Sequence, residues 1–138
     1  MLLSATSRQA ISALTYLACE GEGASIPAHR IARAVGAPEL SLRKVLPRLA
    51  AAGLLRSVRG PNGGNALARP GEAITLLEAV EAIDGPIGGE VPRCVPRDRE
   101  MSAVDERLQA ACERAADALR TQLKKVRISD LAGACRGK

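Results

Sequence analysis

Between Leu54 and Arg69 the chain reads Leu-Leu-Arg-Ser-Val-Arg-Gly-Pro-Asn-Gly-Gly-Asn-Ala-Leu-Ala-Arg. Two short apolar runs flank a loop of Gly, Pro and Asn, with Arg59 at its mouth. Glycine tolerates positive φ, so Gly63-Gly64 is read as the point where the chain reverses in a tight hairpin. A helical segment carrying Arg43, Lys44 and Arg48 ends at Gly53, just before this hairpin. A basic helix followed by a small basic hairpin is the order of elements in a winged helix-turn-helix. The tip is narrow enough to enter a minor groove and would bring Arg59 with it.

The charge distribution points the same way. The net charge of +5 is unevenly placed. Residues 1–70 hold nine Arg or Lys against three Asp or Glu, a net of +6, and residues 71–138 hold eleven against twelve, a net of −1. Between Gly23 and Pro70 the only acid is Glu39. A basic half of this kind suits the phosphates of duplex DNA. Tyr16 is the only aromatic residue. Modules that bind single strands stack bases on aromatic rings, so that class is disfavoured. Catalysis has little to stand on: there is one histidine, no Ser-His-Asp set and no phosphate loop, because Gly60–Gly64 lacks the following Lys-Ser/Thr and helix. The chain is therefore not expected to be an enzyme. The rival from another class is a winged-helix protein–protein adaptor, which would have no use for the cations around the third helix and the wing.

No run approaches the roughly 18 apolar residues of a membrane helix, and polar residues follow Met1-Leu2-Leu3 at once. A cytoplasmic location is expected, away from membranes, with all four cysteines reduced. Cys19, Cys94, Cys112 and Cys135 form no C-x-x-C pair, so neither a zinc knuckle nor a thioredoxin motif is present.

Apolar periodicity sets out the elements. Ser4 or Ser7 caps a first helix through Leu14 and Leu17, closed by Glu20–Gly23. A short second helix starts at Ser25-Ile26-Pro27 and stops at Gly36. The third begins near Pro38, with Leu42, Val45, Leu46 and Leu49 at i, i+3, i+4 and i+7 and its cations on the opposite face. Pro47 should bend it without breaking it. After the hairpin, Thr75 and Glu78 form a capping box for a helix that Gly85 ends. Residues 85–100, rich in Gly and Pro, are expected to be a mobile loop. The longest helix should start at Ser102. Its apolar stripe of Met101, Val104, Leu108, Cys112, Ala115, Leu119, Leu123 and Val126 needs a surface to cover it, either the same chain or a second subunit. A last helical turn is expected at Ile128–Leu131. The fold class is mainly α, with a winged helix-turn-helix at 1–84, a sensor-type loop at 85–100, and a long dimerisation helix and tail at 101–138.

The chain resembles the Rrf2 family of bacterial transcriptional regulators over nearly its whole length. The matching segments are Met1–Ser4, Leu42–Leu49, Ala52–Leu55, the wing Ser57–Gly64, Leu67-Ala68, Ile74–Leu77 and Ile128–Leu131. The Arg-Gly-x-x-Gly-Gly wing directly after Ala-Gly-Leu is the specific part. The resemblance implies a homodimer joined through the long helix and bound to a palindromic operator, with repression the expected outcome. It places Ser41, Arg43, Lys44 and Arg48 toward a major groove, and Arg59, Asn62, Gly63 and Gly64 at a minor groove. It places Val104, Leu108, Cys112, Ala115, Leu119 and Leu123 at the dimer seam. Two departures stand out: Ser41 replaces a frequent aromatic, and Asn65 replaces the Tyr that usually follows Gly-Gly.

Many relatives hold an iron–sulfur cluster on three closely spaced loop cysteines. This chain keeps Cys94 there, followed by Val-Pro-Arg-Asp-Arg-Glu. A variant ligand set would draw on the first helix, where Arg8 and Ser12 are not iron ligands, and His29 lies on the second helix. No metal site is assigned, and a cluster would need atypical ligands. Cys112 lies in the apolar stripe, where a thiol packs as a small hydrophobe, and Cys19 reads as core. Cys94 sits beside Arg93 and Arg97, which favour its thiolate. A thiol switch at Cys94, with Cys112 as a second candidate, stands beside readings in which a cluster or a small ligand carries the signal.

Overall fold

The computed structural model describes residues 3–92 and 95–137. Helix α1 (Ala5–Glu20) is capped by Ser4, whose hydroxyl accepts the Ser7 N–H. Its buried face is Ala10, Ala13, Leu14 and Leu17. Helix α2 (Ala28–Val35) ends where Gly36 turns left-handed at φ 70°. Helix α3 (Glu39–Ala51) buries Leu42, Val45, Leu46 and Leu49, the stripe its spacing dictates. It runs unbroken through Pro47, which is exposed. The missing donor costs one bond on the outer face and leaves the packed face intact.

Strands β1 (Leu55–Val58) and β2 (Gly64–Leu67) pair antiparallel, Leu55 opposite Leu67 and Val58 opposite Gly64. The glycines work differently from the expectation. Gly60 is the wing residue with positive φ, at 114°. Gly63 and Gly64 are needed for close approach. A Cβ on Gly63 would lie 2.3 Å from the Val58 carbonyl oxygen, and one on Gly64 2.4 Å from the Ile26 carbonyl carbon and oxygen. Ile26 bridges Asn65 through two backbone hydrogen bonds of 2.9 and 2.8 Å. The wing is thereby pinned to the segment that enters α2.

A short 3-10 turn (Gly71–Ala73) leads to α4 (Leu76–Asp84). Its capping box is complete: Thr75 accepts the Glu78 N–H, and the Glu78 carboxylate accepts the Thr75 N–H at 2.9 Å. Helix α5 (Arg99–Lys125) starts three residues before the expected Ser102, because the Asp98 side chain caps it by accepting the Glu100 N–H. Helix α6 (Ile128–Ala132) and a final 3-10 turn (Gly133–Gly137) complete the described chain.

The C-terminal segment returns to the head. Thr75 and Arg127 form a β-bridge, the Leu76 N–H donates to the Val126 carbonyl, and the Ile128 N–H donates to the Ile74 carbonyl. Ile128 is fully buried in the same core as α1 and α3. The loop expected to be mobile is partly held. Gln109 of α5 donates to the Gly89 carbonyl and accepts the Val91 N–H, and Gly89 lies against the Cys112 backbone. No helix among the described residues is long and apolar enough to cross a membrane.

Candidate nucleic-acid interface

Burying the Leu42–Leu49 stripe of α3 turns Leu40, Arg43, Lys44, Pro47 and Arg48 outward. Arg43 lies against Glu39, with Nη2 donating to Oε1 at 2.6 Å and Nε donating at 3.1 Å. An exposed i,i+4 pair of this kind is weak and can be exchanged for phosphate. Lys44 is exposed. Ser41 is half-buried and donates to Gln9 Oε1 at 2.7 Å, so its hydroxyl ties α3 to α1 in the free protein.

Arg48 makes an intramolecular contact as well as facing outward. Its guanidinium donates to the Ile83 carbonyl at the end of α4. Beside it, Asp84 accepts from the Ser7 hydroxyl at 2.5 Å and from the Ser4 hydroxyl at 2.8 Å. The Ser7 bond is the main reason the Asp84 carboxyl is held below its ordinary value; burial opposes it, and Ser4 and the Arg48 charge add to it. In this arrangement Arg48, on the exposed face of α3, also fastens α3 to α4 in the free protein. Arg69 is likewise engaged, donating to Glu78 at 2.9 Å and to the Ala73 carbonyl. Burial pushes the Glu78 carboxyl up, but the Thr75 N–H, Arg69 and the Thr75 hydroxyl together outweigh it and lower its pKa.

At the wing, Arg56, Arg59, Pro61 and Asn62 are exposed, while Gly63 and Gly64 are half-buried and line the turn with backbone. Two further features were missed in the sequence, Leu40 and the open starts of α2 and α3, whereas the sequence places His29 on the second helix facing solvent or phosphate. Leu40, at the start of α3, is an apolar side chain 78% exposed. His29 and Arg30 are exposed in the first turn of α2. Neither α2 nor α3 has a side-chain N-cap, since proline occupies both cap positions. Their first N–H groups are open to anions. Leu40 was signalled by its place off the buried stripe, and the caps by Pro27 and Pro38.

The expected dimer stripe divides. Met101, Val104 and Leu108 are 54%, 53% and 47% exposed, and Ala115 is also exposed. Cys112 and Leu119 are half-buried. Leu123, expected at the seam, is 7% exposed and buried within its own chain, where the end of α5 packs on α4. Of the candidate sensors, Cys94 lies outside the described residues, and Cys112 is a free thiol. The four cysteines were expected to be reduced at rest; in this structure Cys19 and Cys135 are joined in a disulfide, because α6 brings the C-terminal turn against the end of α1.

A three-helix head with a recognition-type helix, a pinned two-stranded wing and outward cations is a winged helix-turn-helix, a DNA-binding fold. The family model Rrf2, described as an iron-dependent transcriptional regulator, matches residues 3–134. The chain is 31% identical over 140 residues to Rv1287 of Mycobacterium tuberculosis, which bears the name of an HTH-type transcriptional regulator. That alignment covers 96% of this chain and 82% of the relative. The protein aau3 of Rhizobium meliloti is 45% identical over 85 residues, 61% of this chain and 54% of that protein, so the chain matches about half of its length. Among solved structures, CymR, the global cysteine regulator of B. subtilis, superposes with a TM-score of 0.73 at 27% identity, covering 96% of both chains. The chain belongs to the Rrf2 family, and it is a DNA-binding transcriptional regulator, not an enzyme.

The family description raises the question of iron. Among the described residues no three His, Cys, Asp or Glu side chains converge on a point. Cys19 and Cys135 hold each other, and Cys112 stands apart on α5. Among the described residues, which do not include Cys94, this donor set does not supply the ligands of an iron–sulfur cluster.

Proposed function

We propose that the chain reads a palindromic operator as a homodimer. The exposed Met101–Leu108 end of α5 meets its copy, α3 enters the major groove and the wing enters the minor groove, and occupancy of the operator represses. The observation that carries this reading is the set of outward cations, Arg30, Arg33, Arg43, Lys44, Arg56 and Arg59, in a stretch whose only acid is Glu39. The open N-termini of α2 and α3 suit backbone phosphates, which set register. Leu40 and the Lys44 ammonium offer apolar and polar contact to base edges, Leu40 suiting a thymine methyl. Arg59 suits a narrow, A·T-rich minor groove, where the potential is most negative.

The test is fluorescence anisotropy on duplex DNA across a salt series. With about three to five phosphates neutralised per protomer, log affinity falls with log salt at roughly −0.9 per contact. Arg59→Ala should weaken operator binding about tenfold or more, within the roughly 1–3 kcal/mol of one arginine contact, and leave the melting temperature unchanged. A flat salt response would favour the adaptor instead. An unaltered Arg59→Ala affinity would take the wing off the DNA.

A further inference from the structure

We infer that Cys19 and Cys135 form a reversible thiol–disulfide clamp that closes the C-terminal turn onto α1. The two residues are 116 apart in sequence, and their Cα atoms lie 6.0 Å apart. Three observations make the pair an exchange site and not a structural rivet. First, Cys135 is exposed and Cys19 half-buried, so an incoming thiolate reaches the Cys135 sulfur. Second, the fold does not depend on the bond. The segment is already anchored just upstream by fully buried Ile128, by Leu131 packed on the core and by the Ile128 N–H to Ile74 bond. Gly133–Gly137 lies beyond these anchors, against α6 and α1, and the disulfide ties it covalently to α1. Third, a DNA-binding regulator works where the genome is, in a compartment that keeps thiols reduced. Disulfides that appear there are typically transient.

Closure needs a low-molecular-weight disulfide, R–S–S–R. The Cys135 thiolate attacks one of its sulfurs and releases R–S⁻. The Cys19 thiolate then attacks Cys135 Sγ and expels the second R–S⁻. The protein loses two electrons and two protons, and the small disulfide becomes two R–SH. Excess R–SH reverses both steps. The clamp also has a location. Ala18 and Ala132, beside the bonded segments, line a groove of about 540 Å³ that reaches Arg56 and Leu67 at the base of the wing.

The experiment equilibrates the full-length chain in a ladder of reduced and oxidised glutathione, quenches with acid, alkylates, and maps peptides by mass. The expected result is one two-electron transition from four alkylated thiols to two, with Cys19 and Cys135 in the linked peptide. Cys135→Ser, at an exposed position that folding does not require, should abolish the transition, and Cys112→Ser should not. Hydrogen exchange on the two end states should show residues 133–137 protected only in the bonded form, with 128–132 protected in both. Four free thiols throughout, a linkage through Cys94 or Cys112, or equal exchange at 133–137 in both states would each overturn the clamp.

Discussion

Replacing Gly64 by alanine tests whether the wing is held by proximity and not by turn conformation. The added Cβ would sit 2.4 Å from the Ile26 carbonyl carbon and oxygen and 2.6 Å from the Pro27 nitrogen, all backbone atoms that cannot swing aside. Ordinary contact begins near 3.4 Å, so the two segments must separate by about 1 Å. The paired hydrogen bonds of Ile26 and Asn65, now 2.9 and 2.8 Å, would then stretch to about 3.8 Å and be lost. Two such bonds contribute about 1 kcal/mol each. If the wing instead stays seated the bonds are kept and overpacking costs about 1–3 kcal/mol; if it lifts away the loss is the two bonds, about 2 kcal/mol. The control is Gly60→Ala. That position has φ 114° but open space, so the cost is backbone strain alone, about 1–3 kcal/mol. Urea unfolding gives the energies, and amide exchange at Ile26 and Asn65 separates the mechanisms. Gly64→Ala should expose both amides, and Gly60→Ala should leave both protected. A Gly64→Ala protein within about 0.5 kcal/mol of wild type, with both amides protected, would refute the argument.

Leu108→Glu should yield a monomer by sedimentation with little change in melting temperature, whereas Leu123→Glu, which buries a charge inside its own chain, should destabilise the fold by several kcal/mol. If the effects are reversed, the division of the stripe is wrong. Arg48→Gln should lower stability by roughly 1 kcal/mol through the lost bond to Ile83 and leave the salt slope of DNA binding unchanged; a shallower slope would return Arg48 to the phosphates. Asp84 has its carboxyl lowered by Ser7 and Ser4, so its contribution is fully present above the ordinary aspartate value of 3.8 and fades as pH falls through the lower folded value. The stability gap between wild type and Asp84→Asn should therefore be constant near neutrality and shrink in acid below that value. A gap unchanged into strong acid would remove Asp84 as its source.

What the sequence revealed and what it hid divide along physical lines. The Thr75–Glu78 box and the Leu42–Leu49 stripe were legible because caps and helical periodicity are local. The hairpin was legible from its Gly, Pro and Asn, but not which glycine bends and which one yields space, since the crowding at Gly64 comes from Ile26, far away in sequence. The stripe of α5 announced that its residues are apolar, not what covers them. Leu123 and Leu108 look alike in the sequence, and only packing on α4 separates them. Arg48 belonged by spacing to the outward face, and the carbonyl that captures it comes from another helix. The Cys19–Cys135 pair was invisible because nothing in its spacing forecasts a contact across most of the chain.

The backbone joint at Ile74–Leu76 and Val126–Ile128 gives α5 a fixed base on the head. At 27 residues, α5 is about 40 Å long. A pivot of about 5° at that base sweeps the far tip, near Met101, through roughly 3.5 Å, about the rise of one base pair along a strand. Once two such struts are joined at their tips, the same arithmetic runs backwards, and a shift of that size at the tips re-aims each head by a few degrees. On the proposed dimer the joint would gear small movements at the distant end of α5 to the spacing between two half-sites, and its stiffness would set how much operator variation the pair tolerates.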